Sequence, residues 1–362
     1  MSDYSSPPRI SKGRGAISNQ NSRFDDFSRE HADDGWVSSG TDESQSVVKT
    51  EIYDDTSRTI ITRNQSPDVP FDRSVNPYKG CEHGCVYCFA RPTHAYLGLS
   101  PGLDFETKLF VKKEAPTLLK KELSKSGYQP ATMALGANTD PYQPVERKLQ
   151  ITRQLLEVLR DFHHPVAIVT KSALIERDID ILAFMAKQGL VQVAVSVTTL
   201  SPELSRHLEP RAPTPSRRIE AIQALHKAGI PVGVLFAPVI PSLNDGEMES
   251  VLQTCTDAGS QFAGYVMLRL PHEVKSIFKE WLEHYASLKA KRVMNILREI
   301  RGGKEYQSQF GVRMKGCGNY ADLIAKRFQL ACRRLGLNKA RLALDSSQFR
   351  VPAAKGKQLN LF

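Results

Sequence analysis

The chain has 362 residues, 41% of them hydrophobic and 24% charged, which fits a globular protein of about two domains. No apolar run approaches the roughly 18 residues of a membrane span, and the first residues lack the basic-then-apolar order of a signal peptide, so we expect a cytoplasmic protein without membrane contact. Six cysteines in a chain of this length do not make a disulfide scaffold.

The net charge of +10 is unevenly distributed along the chain. Residues 1–45 carry 5 basic and 8 acidic side chains and residues 46–274 carry 25 of each, whereas residues 275–362 carry 19 basic and 6 acidic ones. All of the positive excess therefore lies in the last quarter. This concentration of basic residues is what a surface that binds a phosphate backbone would show. A solvated basic helical face would give the same counts, so both interpretations stay open.

The chain begins with a polar segment. Residues 1–45 are rich in Ser, Asp, Gly and Asn, contain few aliphatic side chains and show no periodicity, so we predict that they are disordered. From Val47 to Arg63 the β-branched residues recur often enough to predict one or two strands, which lead into the next motif.

That motif is a loop with three cysteines, Cys81, Cys85 and Cys88, in the spacing C-x3-C-x2-C. Thiolates hold iron–sulfur clusters, and three ligands on a 4Fe-4S cube leave one iron open to an exogenous chelator. A low-potential cluster needs a reducing compartment, which agrees with a cytoplasmic location. The alternative is structural zinc with His83 or His94 as fourth ligand, although such sites normally pair ligands from two separated knuckles.

Beyond the loop, short apolar runs alternate with segments of helical periodicity, which predicts βαβ units and a parallel sheet. The predicted strands are Ser74–Tyr78, Thr132–Leu135, Val166–Thr170, Val191–Val197, Val232–Phe236 and Tyr265–Leu270. The predicted helices are Leu149–Phe162, Asp178–Gln188, Ile219–Ala228 and Glu247–Ala258, and glycines suited to a helix C-terminus follow two of them at Gly189 and Gly229. Periodicity alone allows either a partial barrel or a doubly wound sheet.

Polar residues cluster directly after successive predicted strands. Thr139 and Asp140 follow the second strand and Lys171 follows the third. Ser196 lies on the fourth, and Arg211 comes after it. Because ligands of parallel sheets bind beyond the carboxyl ends of the strands, we expect these side chains to share one site, although each alone would be ordinary turn chemistry.

From residue 276 the pattern becomes helical and basic, with predicted helices at Ile277–Arg301 and Tyr320–Leu335. Glycines flank Cys317 between these helices, and glycine permits close backbone approach, so Cys317 is a candidate to reach an active site. The alternative is that this lone cysteine is a small apolar residue of the interior. Residues 346–362 are predicted to be a flexible tail.

The last residues resemble the short peptide by which bacterial polymerases and repair proteins bind the replicative sliding clamp. They are Gln358, Leu359, Asn360, Leu361 and Phe362. Leu361 and Phe362 would fill an apolar pocket, and the amide of Gln358 would form a hydrogen bond at its edge. The alternative is a frayed terminus with chance apolar residues.

The cysteine spacing, with Tyr87 directly before the last cysteine, resembles the signature of radical S-adenosylmethionine enzymes. From Val75 to about Leu270 the chain is similar to the spore photoproduct lyase branch of that superfamily. The resemblance implies a partial (β/α)6 barrel, a 4Fe-4S cluster and S-adenosylmethionine as cofactors, and an electron donor such as flavodoxin or ferredoxin. In that family the reduced cluster cleaves the cofactor to a 5′-deoxyadenosyl radical, which abstracts hydrogen from a substrate.

The resemblance also implies roles for single residues. Thr139 and Asp140 match residues that receive the cofactor's amino group, and Lys171 and Arg211 match partners of its carboxylate. Ser196 matches a serine that contacts the cofactor from the fourth strand, and Tyr87 is counted with these cofactor residues. An ammonium needs acceptors and a carboxylate needs cationic donors, so the assignment is chemically consistent.

Two positions depart from the lyase pattern. The lyase cysteine that returns a hydrogen atom to the product radical is matched by Ala137, and a tyrosine after the last cluster cysteine is matched by Phe89. Reversal of a thymine lesion by the same hydrogen relay is therefore not expected, and Cys317 is the candidate donor in its place.

The predicted organisation has four parts. They are a disordered segment over 1–45, a partial barrel with the cluster loop over 46–275, a basic helical region over 276–345, and a flexible tail over 346–362. The predicted function is radical chemistry on DNA or a nucleotide lesion. The alternatives are the same chemistry on RNA, a peptide or a metabolite, and a non-catalytic iron–sulfur adaptor on the sliding clamp.

Overall fold

Two β-sheets form the framework of the residues that the structure describes. The computed structural model describes residues 13–25, 48–340 and 343–353. The strands in chain order are β1 (Glu51–Asp54), β2 (Ile61–Arg63), β3 (Arg73–Val75), β4 (Tyr78–Lys79), β5 (Lys108–Val111), β6 (Met133–Leu135), β7 (Val166–Thr170), β8 (Val191–Ser196), β9 (Val232–Val239) and β10 (Phe262–Met267).

Helices connect these strands and continue after the last one. They are α1 (Leu103–Thr107), α2 (Ala115–Leu123), α3 (Glu146–Leu149), α4 (Ile151–Asp161), α5 (Ile179–Ala186), α6 (Pro202–Leu208), α7 (Pro215–Lys227), α8 (Met248–Asp257), α9 (Val274–Tyr285), α10 (Ser287–Glu299) and α11 (Asn319–Leu335). Short 3-10 helices occupy Arg91–Leu97, Ala173–Asp178 and Asp245–Glu247. Among these described helices, none combines the length and the apolar character needed to cross a bilayer.

The large sheet has the order β10-β9-β8-β7-β6-β3-β2. Its strands from β3 to β10 are parallel, and β2 pairs antiparallel with β3 at one edge. The parallel strands follow chain order without reversal, so right-handed crossovers place their helices on one face. This order distinguishes the partial (β/α)6 barrel from the doubly wound sheet, which reverses its order at a switch point.

The first predicted strand is divided between the two sheets. Arg73–Val75 joins the large sheet, whereas Tyr78–Lys79 pairs with β5 in the small sheet of order β1-β5-β4. The prediction of one strand over Ser74–Tyr78 is therefore wrong. Pro77 lies at the break and has no N–H for a β-ladder, which favours a strand end there.

Local sequence explains most of the helices that flank the sheet. In α4, Ile151, Leu155 and Leu159 recur every four residues and are buried, which gives one apolar face. In α7, Thr214 caps the first turn through its side chain and Pro215 occupies the first position, where its missing N–H costs nothing. Gly229 follows that helix at φ +73°, as the sequence predicts.

The basic C-terminal region forms three helices instead of the two predicted. The helix expected over Ile277–Arg301 is interrupted at Ala286, which has φ −143° and ψ 40°. No glycine or proline marks this break. It coincides with packing of Tyr285 on His207, whose ring centroids are 4.4 Å apart, so a long-range contact accompanies the change of direction.

Two segments predicted to be unstructured pack on the domain where the structure describes them. Residues 13–25, here called the N-terminal segment, include buried Arg14 and Ala16, so the prediction of disorder is wrong for those residues. In the predicted tail, the ring of Phe349 lies 6.2 Å from that of Phe162, and the backbone N–H of Arg350 donates to the Phe162 carbonyl (3.0 Å). A flexible tail from residue 346 is therefore also wrong up to residue 353.

Candidate functional site

The three cysteines lie on one loop between β4 and the 3-10 helix Arg91–Leu97. All are free thiols, with Cys81 and Cys85 buried and Cys88 partly exposed. Burial raises the pKa of each thiol, and for Cys81 the neighbouring Asp140, Cys85 and Cys88 raise it further. The thiols are thus close enough to interact, and a cationic group bound to all three would stabilise their thiolate forms.

The three free cysteines of the loop form a donor set that fits an iron–sulfur cluster. Among the residues described, no group of three or more His, Cys, Asp or Glu side chains is placed to hold a metal ion. Structural zinc needs four ligands, so His83 or His94 would have to supply the fourth. A 4Fe-4S cube binds each thiolate through a different iron, so its ligands stand apart, and three thiols leave one iron open.

Arg91 holds the cysteine loop in place from inside the protein. It is fully buried, and its Nε donates to the Cys85 carbonyl oxygen (2.9 Å) while Nη2 donates to that of Gly84 (3.2 Å). Nη1 donates to the Gly102 carbonyl (2.9 Å), and the guanidinium pairs with buried Glu106. The sequence gives no sign of this role beyond the position of Arg91 just after the loop.

The two histidines near the cysteines are also buried. His83 Nδ1 lies 3.4 Å from Asp140 Oδ2, at ion-pair distance but without the alignment of a hydrogen bond. His94 Nε2 lies 2.9 Å from the Lys108 carbonyl oxygen. Burial lowers the pKa of His94 to about 4, so its ring is neutral at pH 7.

Asp140 connects the cysteine loop to the end of β7. Its backbone N–H offsets part of the rise in the pKa of the Cys81 thiol. Its carboxylate accepts from the Lys171 backbone N–H (2.8 Å) and the Thr170 hydroxyl (2.7 Å). Burial by itself raises the pKa of this carboxyl group, but nearby His83 and the hydrogen bonds outweigh it and hold the pKa below its usual value.

Glu209 is the centre of a buried polar network to which sequence reasoning assigned no role. Its carboxylate accepts from the Tyr87 hydroxyl and from Thr198 Oγ1 (2.7 Å). It also pairs with Arg218 and lies 3.3 Å from Lys171 Nζ. Burial raises the pKa of Glu209, but Arg218 and then Lys171 lower it more, so the group is ionised. Its place in the polar segment after the fourth predicted strand was the available signal.

Three of the predicted cofactor residues meet beside this network. Lys171 Nζ donates to Ser196 Oγ (2.9 Å) and lies 5.6 Å from the centroid of the Tyr87 ring. Tyr87 belongs to the cysteine loop and its hydroxyl donates to Glu209, so the group adjoins that loop. The structure therefore brings Tyr87, Lys171 and Ser196 together.

Thr139 and Arg211 make contacts elsewhere around the loop. The Thr139 hydroxyl donates to the Tyr78 carbonyl oxygen (2.8 Å). Arg211 Nη2 lies 3.0 Å from Glu82 Oε1, and Nη1 donates to Thr50 Oγ1 (3.4 Å). Lys171 and Arg211, expected to serve one carboxylate, are thus held by different protein carboxylates, Glu209 and Glu82.

The N-terminal segment covers part of the cysteine loop. The Glu106 carboxylate accepts from the backbone N–H groups of Gly15 (2.9 Å) and Ala16 (2.8 Å), and Arg14 Nη1 donates to the Glu106 carbonyl (2.8 Å). A Cβ on Gly15 would lie 1.7 Å from the Gly84 carbonyl oxygen, so only glycine fits this approach. The segment is therefore part of the wall around the cysteines.

Cys317 is exposed on the loop between α10 and α11, and its Sγ lies 3.7 Å from the Ile300 carbonyl oxygen. Adjacent Arg301 donates from Nη2 to the carbonyls of Met267 (3.3 Å) and Leu268 (2.7 Å). This loop thus packs on the C-terminal end of β10, but none of the described contacts joins Cys317 to the cysteine loop. The predicted clamp-binding residues lie outside the described residues: Gln358, Leu359, Leu361 and Phe362.

Similar proteins of known sequence are themselves uncharacterized. One from Mycobacterium tuberculosis is 40% identical over 216 residues, which is 59% of this chain and 64% of that protein. One from Methanocaldococcus jannaschii is 28% identical over 173 residues, which is 48% of this chain and 62% of that protein. The match thus spans less than two thirds of the length of either relative.

Among solved structures, the fold is similar to that of spore photoproduct lyase. A variant with bound AdoMet and dinucleoside spore photoproduct aligns with a TM-score of 0.57 and 13% identity, covering 79% of this chain and 80% of that one. At this identity the likeness shows a shared fold. Residues 75–255, half of the chain, match the radical SAM superfamily. This chain therefore belongs to the radical SAM superfamily, whose members use a 4Fe-4S cluster and S-adenosylmethionine.

Proposed function

We propose that this protein uses S-adenosylmethionine and a three-cysteine cluster to generate a 5′-deoxyadenosyl radical, and that it acts on DNA or a nucleotide lesion. The observation that carries the radical chemistry is the contact between the cysteine loop and the strand ends. His83, between Cys81 and Cys85, has its Nδ1 3.4 Å from Asp140 Oδ2, and the ring of Tyr87, next to Cys88, has its centroid 5.6 Å from Lys171 Nζ. When bound, the cluster and its cofactor supply the electron and the radical that abstracts hydrogen.

Lys171 is the residue to which we assign the cofactor carboxylate. An ammonium has three N–H donors. Glu209 and Ser196 lie close enough to accept two of them, which leaves one for a ligand. We assign Arg211 to the same carboxylate, since its guanidinium offers more donors than Glu82 and Thr50 accept.

Asp140 is the residue to which we assign the cofactor amino group, with Thr139 as its neighbour. An ionised carboxylate has about four acceptor sites. Lys171 N–H, the Thr170 hydroxyl and the Tyr142 N–H (2.9 Å) use three of them, and His83 Nδ1 lies 3.4 Å from Oδ2 without forming a hydrogen bond. The lowered pKa of Asp140 keeps the group ionised at neutral pH, as binding of an ammonium requires.

The case for a DNA substrate rests on charge and on the fold. Exposed basic side chains are numerous from α10 to residue 339: Lys289, Lys291, Arg292, Lys304, Lys315, Lys326, Arg333, Arg334 and Lys339. Such a surface attracts a phosphate backbone. The similar fold belongs to a lyase whose structure holds a dinucleoside photoproduct.

The hydrogen donor must differ from that of the lyase branch, because Ala137 replaces the expected cysteine and Phe89 the expected tyrosine. We assign the role to Cys317, whose thiol is exposed on the loop that packs against the end of β10. A flavodoxin or ferredoxin would deliver the electron, and the terminal residues from Gln358 to Phe362 would bind the sliding clamp.

The test is anaerobic reconstitution with iron and sulfide, followed by dithionite, S-adenosylmethionine and an assay for 5′-deoxyadenosine, with and without ultraviolet-damaged DNA. We expect cofactor cleavage that damaged DNA stimulates and that Cys88→Ala abolishes, because two thiolates hold a cube poorly. Cys332→Ala, on α11, is the matched control and should retain the cluster. Zinc without iron would overturn the whole proposal, whereas cleavage indifferent to DNA would overturn only the substrate.

A further inference from the structure

Phe89, the residue after the last cysteine of the loop, lies with an exposed ring beside the end of β10. The residue is 46% exposed, and the guanidinium carbon of Arg269 lies 5.3 Å from the centroid of the Phe89 ring. Arg269 follows the end of β10 by two residues. Phe89 and Arg269 therefore lie near the C-terminal ends of the strands, where ligands of parallel sheets bind. The uncovered part of the ring is open to a ligand.

The Arg269 guanidinium has donors to spare. Within the described part of the chain, its one side-chain hydrogen bond runs from Nη1 to the thioether sulfur of Met314 (3.1 Å), which is a weak acceptor. Its Nε is buried without a hydrogen-bond partner among those residues. A buried guanidinium nitrogen beside an accessible aromatic ring favours an anionic ligand at this point.

The surroundings of Arg269 are positively charged. Arg301 lies close enough that burial and then Arg269 lower its pKa to about 10. Arg313 forms an ion pair with Asp68. The Gly311 N–H, Arg313 and Arg269 all lower the pKa of Asp68. Two guanidiniums, those of Arg313 and Arg269, therefore face the carboxylate of Asp68, which is already paired with Arg313.

This patch lies at the gap of the partial barrel. The free edges of the large sheet are β10 and β2. Asp68 belongs to the connection after β2, and its ion pair with Arg313 joins that connection to the loop after α10. The loop after α10 holds a second such pair of ring and guanidinium. Phe310 is 53% exposed, and the guanidinium carbon of Arg313 lies 4.6 Å from the centroid of the Phe310 ring.

We propose that Phe89 and Arg269 form the nucleotide subsite of this enzyme, with a single-stranded or extruded DNA base stacked on Phe89 and a phosphate bound by Arg269. The inference rests on the proposed function and names the residues by which its substrate is held. Every base has a π-face that stacks on an aromatic ring, and a guanidinium binds phosphate through paired N–H donors. Because Phe89 follows Cys88 directly in the sequence, a nucleotide stacked on its ring would lie beside the proposed cluster, where the radical forms.

The test is fluorescence anisotropy of the reconstituted holoenzyme with a short fluorescein-labelled oligothymidylate. We expect Phe89→Ala and Arg269→Ala each to weaken binding about tenfold or more, as loss of a stacked base or of a phosphate contact does. Arg269→Ala should also reduce the slope of log Kd against log salt by about 0.7, the value for one phosphate on a single strand. Phe89→Leu and Arg269→Lys, which preserve bulk and charge, should fall in between.

Phe184→Ala and Arg160→Ala are the matched controls, since Phe184 is 47% exposed on α5 and Arg160 pairs with its neighbour Asp161. Iron content and thermal unfolding check that each variant is folded. Equal Kd values for the wild type, Phe89→Ala and Arg269→Ala would overturn the subsite. The proposal of a DNA substrate would remain. No binding by wild type would overturn the DNA proposal itself, and tighter binding of oligouridylate with the same sensitivity would replace DNA by RNA.

Discussion

Ionised groups buried beside the cysteine loop orient the predicted cofactor residues. Glu209 is almost fully buried, yet Arg218 and Lys171 hold it charged. Its pairing keeps the Lys171 ammonium between Ser196 and the Tyr87 ring. Removing one partner of such a pair is costly because the other charge stays in the interior.

Glu209→Gln should therefore destabilise the fold. We expect the free energy of unfolding to fall by about 3–5 kcal/mol, because Arg218 would be left buried without its counter-ion. Because the native pKa of Glu209 is lowered, the wild-type advantage should be complete above about pH 5 and shrink as pH falls below the unfolded-state pKa near 4.3. Denaturant titration at several pH values measures both effects.

Glu249→Gln is the matched control for that measurement. Glu249 pairs with Arg327 at 2.6 Å, but both side chains are partly exposed. Such pairs contribute about 0–1 kcal/mol. Equal losses in the two variants would contradict the special role of the buried pair.

Lys171→Ala and Arg211→Ala test the cofactor assignment. Each substitution removes one charge-assisted hydrogen bond worth about 1.5–3 kcal/mol, so the Kd for S-adenosylmethionine should rise roughly ten- to a hundredfold. The cluster absorbance should stay as in wild type. Arg217→Ala, at a surface pair with Glu176, should change neither quantity. Unchanged cofactor affinity in both test variants would remove the assignment.

At the scale of elements, the wall around the cysteines is assembled from distant pieces of chain. Arg91 and Glu106 form its buried ion pair, and the N-terminal segment packs on Glu106 through two backbone N–H groups. Gly15 and Gly84 approach too closely to admit a side chain. The segment should therefore limit access of solvent and oxygen to the loop.

Gly15→Val should displace the N-terminal segment, because its Cβ would overlap the Gly84 carbonyl oxygen. We expect faster loss of cluster absorbance in air and faster proteolysis within residues 13–25. Gly246→Val is the matched control, since no atom lies within 4 Å of a Cβ at that position. Identical rates for the two variants would show that the segment does not protect the loop.

At the scale of the whole molecule, the cysteine loop and Phe349 lie at opposite ends of the parallel strands. The cysteine loop contacts the C-terminal ends of the strands through Asp140, beside the end of β7. Phe349 instead packs on Phe162 and His164, just before β7 begins. The last described residues therefore pack at the end of the strands away from the cysteine loop.

Deletion of residues 358–362 should remove binding to the bacterial sliding clamp and leave iron content unchanged, because the truncation spares every described contact. Leu361→Ala with Phe362→Ala should reproduce the deletion. Surface plasmon resonance with immobilised clamp measures both variants. If full-length and truncated proteins bind equally, the terminal motif is a chance match.

The sequence by itself determined the chemistry and the class of fold. The count and spacing of Cys81, Cys85 and Cys88 indicated a cluster with an open iron, and the alternation of runs located β7 with the bounds that the structure has. These features are local, because the number of cysteine ligands and the period of the hydrophobic residues can be read from residues close together in the sequence. The polar residues after the strands were predictable for the same reason.

Only the tertiary structure decided which strand neighbours which, and so selected the partial barrel over the doubly wound sheet. It also revealed Glu209 and Arg91 as buried charges and ordered residues 13–25 against a loop some seventy positions away. A buried ion pair or a glycine contact joins residues far apart in the chain, and neither leaves a periodic pattern in one sequence. Such contacts become visible only when packing brings the partners together.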